Sequence, residues 1–465
     1  MRKIFLVFLC SCIANTLFAQ TWTELGTGSN ALHPNNSIMS IAIDHSGKVY
    51  AAGSFTNDKG YNIVSKWDGV SWGALGVLEN IVPTGRNCLA VDSVDNVYVT
   101  YRGSMTPNML MKWNGTNWSY FGPTNSLGTI GPIAVDKNQH LYANRYMQYM
   151  DNPHYFAIDK GYAPGNWGLL GYVPVSNFSF AITGFCMAFY TTPTVITIDP
   201  SGNVYAGGAF TNNVSDTSRL NPAPLLRVVK WDGMKWSVLN EGQEDLGTIQ
   251  DLAADQSGNI YAASNSSGRY YVAKWDGTTW AELGTGSNVL NANNGVWTLA
   301  VDKSGNVYAA GNFTNADGLR YVAKWDGNSW SELGAGISSL AANNIIYDVT
   351  TDDAGNVYAA GSFTNYSGKS YVAKWSNDET LGVQSKSAAQ VVPFYPNPSD
   401  GYSQIRVSED VELTVYSSLG EPIKTMYVHA GTSSIDLTYL TEGLYVLVCR
   451  GETTINYAPI KFIKE

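Results

Sequence analysis

The stretch VWTLAVDKSGNVYAAGNFTNADGLRYVAKWDGNSWSELG, residues 296–334, decides the fold. VWTLAVD is read as a strand. KSGN is a turn. VYAAGNF is a second strand, and after the loop TNADGLR comes YVAKW, a third. Asp-Gly then supplies a two-residue hairpin turn, because both residues tolerate positive φ, and NSWSEL is the fourth strand. Four short antiparallel strands in about 40 residues make one sheet of a repeat architecture.

The unit recurs. Asp-x-x-Gly-Asn-Val-Tyr, intact or degenerate, begins at Asp44, Asp92, Asp136, Asp199, Asp255, Asp302 and Asp352. Copy two carries Val94-Asp95 in place of Ser-Gly, and copy three reads Asn138-Gln139-His140. Seven copies at a mean spacing of about 51 residues predict an all-β chain whose body is a seven-bladed β-propeller. Tryptophans pair five residues apart at Trp67/Trp72, Trp113/Trp118, Trp231/Trp236, Trp275/Trp280 and Trp325/Trp330. They are expected on one sheet face as diagonal neighbours, packing blade against blade. Of the fourteen tryptophans only Trp297 lies off these repeat positions. The seventh unit stops at Trp375-Ser376 without its Trp-x-x-Leu strand, and Trp22-Thr23-Glu24-Leu25 supplies that piece. This strand is expected to complete the last blade and close the ring, which removes free sheet edges. The repeats resemble bacterial propeller repeats of the broad NHL-like type over residues 21–376. That resemblance implies a fold and no particular activity.

Comparing the units shows where to look for function. The Asp-x-x-Gly and Trp-Asp-Gly turns barely change. The other two connections vary, through Asn212–Leu225, Asn144–His154 and the Phe- and Tyr-rich Gly171–Thr192. In a four-stranded meander both variable connections emerge on one face, so function is expected there. The first strand of each blade lines the central channel. Two positions before each aspartate stands a small residue: Ala42, Ala90, Ala134, Thr197, Ala253, Ala300 or Thr350. Four and five positions back the copies diverge: Met39-Ser40, Asn87-Cys88, Gly131-Pro132, Thr194-Val195, Gln250-Asp251, Trp297-Thr298 and Tyr347-Asp348. This ring is expected to rim the channel mouth. Met39, Asn87, Gln250, Trp297 and Tyr347 are its candidate ligand contacts.

Candidate chemistry is sparse. The repeated aspartates read as turn residues that cap their own backbone. Asp352-Asp353-Ala354-Gly355-Asn356 lacks the alternating oxygens and distal Glu of a calcium loop. Asp251 and Asp348 are a candidate catalytic pair for glycoside hydrolysis, against the plainer reading of solvated loop-end residues. Tyr146, Tyr149, His154 and Tyr155 form an aromatic cluster able to stack on sugars, or a rebuilt blade core. Glu241, Glu244 and Asp245 bind a cation or face water. Asn-x-Ser/Thr at Asn117 and Asn177, and Asp92-Ser93-Val94, are weak modification signals. No Ser-His-Asp spacing, zinc motif, phosphate loop or dinucleotide fingerprint occurs, so no cofactor or metal is expected.

Composition bounds the partners. The 465 residues carry 12% aromatics, 14% charged residues and a net charge of −10, so nucleic acid, which needs a basic surface, is not expected as a partner. Arg2 and Lys3, the apolar run Ile4–Leu17 and the small Ala19 read as a signal peptide over residues 1–19. That run is too short to span a bilayer, and no transmembrane segment is expected after its removal. Cys88, Cys186 and Cys449 are odd in number and far apart, so no disulfide framework follows.

After the propeller body at residues 20–376, residues 377–392 read as a linker. FYPNPSDG at 394–401 and the alternating segments beyond it predict a small Ig-like sandwich of about seven strands over residues 393–465. The ordered motifs Pro396-Asn397-Pro398, Tyr416-x-x-x-Gly420, Leu437-x-x-Leu440-x-x-Gly443-x-Tyr445 and Lys461–Lys464 resemble the C-terminal sorting domain of type IX secretion cargo in Bacteroidota. The resemblance implies Sec export, passage through the type IX machinery and release to the medium or attachment to the outer cell surface. It also implies that Leu437, Leu440, Gly443 and Tyr445 form a hallmark strand. Two functions lead, ahead of a third, a structural surface protein with no small ligand. One is a binding module for glycan, protein or polymer. The other is a polysaccharide hydrolase or lyase using the mouth carboxylates.

Overall fold

The structure is a computed structural model of the chain. It describes residues 22–56, 59–76, 81–83, 85–103, 109–122, 130–149, 152–164, 166–170, 193–211, 225–239, 246–266, 268–334, 339–365, 367–376, 392–396, 399–417, 421–451, 457 and 460–465. Residues 1–21, Gly171–Thr192, Glu241, Glu244 and Asp245, residues 377–391, and Asn397 and Pro398 lie outside them.

Up to Trp375 the described residues form seven antiparallel sheets. Five follow the four-stranded meander predicted for each repeat. The sheet of the seventh repeat has the strand order Trp22–Glu24, Ser370–Trp375, Val357–Thr364, Ile346–Thr351. The N-terminal strand therefore completes the last blade, with Trp22 opposite Trp375. The first strands touch in one closed cycle, from Ile38–Ile43 through each successive blade to Ile346–Thr351 and back to Ile38–Ile43. That closed cycle is a propeller ring.

The recurring motif explains itself in the turn. In the first copy Asp44 Oδ1 accepts the backbone N–H of Ser46 and of Lys48, both at 2.9 Å. Its Oδ2 accepts the Tyr50 hydroxyl at 3.0 Å. The Tyr-to-Asp bond recurs in all seven copies, through Tyr98, Tyr142, Tyr205, Tyr261, Tyr308 and Tyr358. A lysine from the third strand lies over the tyrosine ring in each unit, as Lys66 does over Tyr50. The degenerate copies keep this geometry. Asp95 and Gln139 adopt the positive φ that glycine supplies elsewhere, and the His140 ring takes the place of the Asn amide on Asp136.

The tryptophans pack between blades, with two corrections. Trp67 and Trp72 are directly opposite rather than diagonal, their rings 5.9 Å apart. The hairpin tip is not Asp-Gly. Asp68 N–H bonds Ser71 O, so Gly69-Val70 form the tip while the Asp68 carboxylate accepts the N–H groups of Val70 and Ser71. Glycine holds positive φ, and the aspartate satisfies donors that the tight turn would leave bare. The fourth-strand indole N–H then donates to a main-chain carbonyl of the preceding blade: Trp72 to Leu25, Trp167 to Phe121, Trp236 to Leu170, Trp330 to Leu283 and Trp22 to Leu333. The last of these bonds uses the closing strand.

The third blade corrects another expectation. Asn144–His154 is not an irregular loop; strands Leu141–Tyr149 and Asn152–Ala163 run on as one long hairpin. Its tyrosines, Tyr142, Tyr146, Tyr149 and Tyr155, are of a residue type favoured in strands. The second blade departs too, with both Ile81–Pro83 and Leu89–Val91 pairing with Val97–Gly103.

Beyond the propeller, seven described strands form a three-stranded and a four-stranded sheet around Ile405, Leu413, Leu447 and Phe462. Leu437 and Leu440 are buried here, but in the turn ahead of strand Gly443–Gly451 rather than in it, where Leu440 N–H bonds Leu437 O. Gly443 and Tyr445 lie in that strand, and Lys461 and Lys464 in the last, Ile460–Lys464. Cys449 is buried in this core. Among the described residues no helix is long and apolar enough to cross a membrane.

Candidate functional site

The mouth of the channel is built by a repeated backbone irregularity. First strands slip register against their second strands between Ile38 and Ser40, Pro193 and Val195, Ile249 and Asp251, Val296 and Thr298, and Ile346 and Asp348. Each slip is a β-bulge. The extra residues are Met39, Thr194, Gln250, Trp297 and Tyr347, which the sequence places at the rim. A bulge frees its extra residue from the ladder and re-aims its side chain. Glycine on the second strand makes room for it. A Cβ on Gly311 would lie 2.2 Å from Gly295 O, and one on Gly361 would lie 2.1 Å from Ile345 O.

The neighbouring position points the other way. Ser40, Cys88, Val195, Asp251, Thr298 and Asp348 are all buried. Three of them reach the next blade. Asp251 Oδ2 accepts the Leu299 N–H at 2.7 Å, Thr298 Oγ1 accepts the Val349 N–H at 3.1 Å, and Asp348 Oδ2 accepts the Ile41 N–H at 2.7 Å. These bonds run from the fifth blade through the sixth and seventh to the first. The two aspartates are thus buried rather than solvated loop ends. They are acceptors for buried main-chain donors between blades.

The second blade supplies what sequence reasoning missed. Its first strand is interrupted, and Asn87 sits at φ 56°. The break releases Arg86 and Asn87 across the channel. Arg86 Nη2 donates to Gln250 Oε1 at 3.1 Å, and its Nη1 donates to Trp297 O. Asn87 Nδ2 donates to Asp251 Oδ1 at 3.2 Å. The guanidinium lies 5.5 Å from the Trp297 ring centroid, and Trp297 stacks on Tyr347 with centroids 5.7 Å apart and planes at 19°. The signal that could have found Arg86 is Pro83-Thr84-Gly85 just before it, two strand breakers within three residues.

The electrostatics follow from burial. Asp348 is pushed up to about 7, first by burial, against the Ile41 N–H and with the Asp251 charge adding to it. Asp251 is pushed up to about 6 by burial, against the Leu299 N–H and the Arg86 charge. Burial lowers the Arg86 guanidinium, opposed by Asp251 and Asp348. Cys88 is buried and pushed up to about 12, so it is a neutral thiol. Burial also pushes at Asp44, but the Ser46 hydroxyl, the Lys48 N–H and Tyr50 hold it below the usual carboxylate range. Among the described residues no group of three His, Cys, Asp or Glu is arranged to hold a metal ion.

The structure therefore brings Asn87, Gln250, Trp297 and Tyr347 together around Arg86, each half-buried, above Asp251 and Asp348. Met39 is half-buried on the adjoining first blade. The backbones of Tyr146, Tyr149, His154 and Tyr155 lie in the long hairpin of the third blade; their side chains are outside the described residues.

Residues 393–465 match the family described as the secretion system C-terminal sorting domain. The chain thus carries a type IX sorting domain, which engages the secretion machinery, and the protein is secreted or attached to the outer cell surface. No curated protein matches the chain. Among solved structures it is similar to PorZ, a surface component of the type IX secretion system of Porphyromonas gingivalis, at 16% identity and TM-score 0.46. That match covers 95% of this chain, which spans 60% of the PorZ chain. It is also similar to a catalytically inactive virginiamycin B lyase from Staphylococcus aureus with quinupristin, at 10% identity and TM-score 0.48, over 76% and 98% of the two chains. A third is YCF48 from Cyanidioschyzon merolae, at 12% identity and TM-score 0.46, over 77% and 99%.

Proposed function

We propose that this chain is an extracellular binding propeller: a signal peptide over residues 1–19, a propeller over 20–376, a linker over 377–392 and the sorting domain over 393–465. The propeller binds a glycan polymer at the channel mouth. The observation that carries this reading is the stack of Tyr347, Trp297 and Arg86. Flat apolar faces bordered by a few amide and guanidinium groups suit a sugar ring, which presents apolar C–H faces and hydroxyl edges. Trp297 is the tryptophan the repeat does not require, and it occupies the extra residue of a bulge. Affinity electrophoresis of the full chain in gels containing soluble polysaccharides tests the reading. Retardation by at least one polymer, lost in Trp297→Ala, supports it. Unretarded migration in every polymer counts against it.

The raised carboxyl of Asp348 is the observation that favours the alternative, an extracellular hydrolase or lyase. Against it, both carboxylates are buried and already accept main-chain N–H groups. Release of new reducing ends by the full chain, abolished in Asp348→Asn, would establish that alternative.

A further inference from the structure

Far from the channel, the seam between the fifth and sixth blades holds a second feature. The fifth blade carries Tyr271 and Glu282 at matching positions to Tyr321 and Glu332 in the sixth. In the fifth blade the chain fills the space between them itself. Arg269 Nη2 is ion-paired with Glu282 Oε2, and its guanidinium lies 5.1 Å from the Tyr271 ring centroid.

The position of Arg269 is taken in the sixth blade by Leu319. There a cavity of about 160 Å³ opens, walled by Tyr321, Trp330, Asn315, Glu332, Val289 and Leu290. Glu332 accepts a hydrogen bond from Asn315 Nδ2 at 3.2 Å and another from the Ser339 hydroxyl. Among the described residues no lysine or arginine is ion-paired with it. Arg320, next in sequence to Leu319, is held elsewhere: its Nε and Nη2 donate to Asn312 Oδ1 at 3.3 and 3.2 Å, and its Nη1 to Asn343 O at 3.4 Å. Lys324 lies over the Tyr308 ring. In the seventh blade Glu24 keeps the same bond from Asn365, but Lys369 stands at the Arg269 position. The sixth blade is thus the one of these three with an apolar residue there.

We propose that this seam pocket binds the guanidinium group of an extracellular ligand, in the place that Arg269 takes in the fifth blade. A carboxylate offers a planar two-oxygen acceptor to a guanidinium, and Tyr321 and Trp330 offer faces that attract a cation. A cavity of roughly 150 Å³ accommodates a six-membered ring, so a guanidinium with its first methylenes fits. The site is separate from the channel mouth, and its test does not depend on what binds there.

Isothermal titration calorimetry of the full chain with agmatine, N-acetylarginine amide and the neutral butylurea tests the proposal. Both guanidino compounds, or agmatine alone, are expected to saturate one site, with butylurea at least tenfold weaker. Binding of the blocked arginine as tightly as agmatine assigns an arginine side chain of a partner; its exclusion assigns a free guanidino compound. Leu319→Arg, which installs the fifth blade's own occupant, is expected to abolish binding. Glu332→Gln is expected to weaken it at least tenfold, and Arg269→Leu to raise the stoichiometry from one towards two. Trp297→Ala is expected to change nothing. Absence of saturable binding by either guanidino compound overturns the proposal, as does binding unchanged in both Leu319→Arg and Glu332→Gln.

Discussion

Replacing Asp348 by asparagine should make the propeller's stability less dependent on pH. The Asp348 carboxyl is buried and raised from 3.8 to about 7. Between those values the folded protein holds a proton that the unfolded chain has lost. Stability from this group is therefore full below about pH 4 and declines as pH rises towards 7. At about 1.4 kcal/mol per pKa unit, the shift corresponds to roughly 4 kcal/mol over that window. Asparagine keeps an oxygen for the Ile41 N–H, now 2.7 Å from Oδ2, and carries no charge to desolvate. Urea unfolding of the full chain and of Asp348→Asn at about pH 4.5 and about pH 8 measures the difference. The variant should gain about 3 kcal/mol relative to the natural chain on going to the higher pH. Asp44 and Asp136, whose carboxyls are lowered by hydrogen bonds that outweigh burial, act in the opposite sense at lower pH and are common to both proteins. Parallel curves for the two proteins would refute the reading of Asp348 as a buried acceptor between blades whose carboxyl is raised by burial.

Arg86→Met removes the guanidinium charge that faces Asp251 and Asp348; it should destabilise the propeller more at about pH 8 than at about pH 4.5, by on the order of 1 kcal/mol or more, in the same urea assay. Tyr308→Phe removes the 2.9 Å bond to Asp302 and should cost about 1.5–3 kcal/mol, seen as a lower Tm. Gly311→Ala would place a methyl 2.2 Å from Gly295 O; it should cost about 1–3 kcal/mol by calorimetry and disturb the bulge that presents Trp297.

The ring was legible in the sequence because its signals are local and repeated. Each Asp-x-x-Gly-Asn-Val-Tyr turn satisfies its own donors, so it reads the same wherever it falls. The closing strand was legible because Trp22-x-x-Leu25 lacked a unit and the seventh unit lacked that strand. The mouth was only half legible. Divergence among Met39, Asn87, Gln250, Trp297 and Tyr347 marked the rim, but nothing in the pattern says that these residues are the extra members of bulges. The role of Asp251 and Asp348 depends on main-chain donors in another blade, about 50 to 300 residues away in sequence. Arg86 escaped notice because it stands outside the repeat, in a strand break particular to the second blade. The Asp-Gly turn was misplaced by one residue because aspartate serves equally as a turn residue and as the cap beside one.

Hydrogen–deuterium exchange of the full chain, with and without a polysaccharide that retards it in gels, tests the proposed binding face most directly. Protection is predicted over residues 85–91, 248–254, 296–301 and 346–351, where the first strands meet the mouth, and it should vanish in Trp297→Ala. Protection confined to the outer strands or to residues 393–465, with these four segments unchanged, would contradict it.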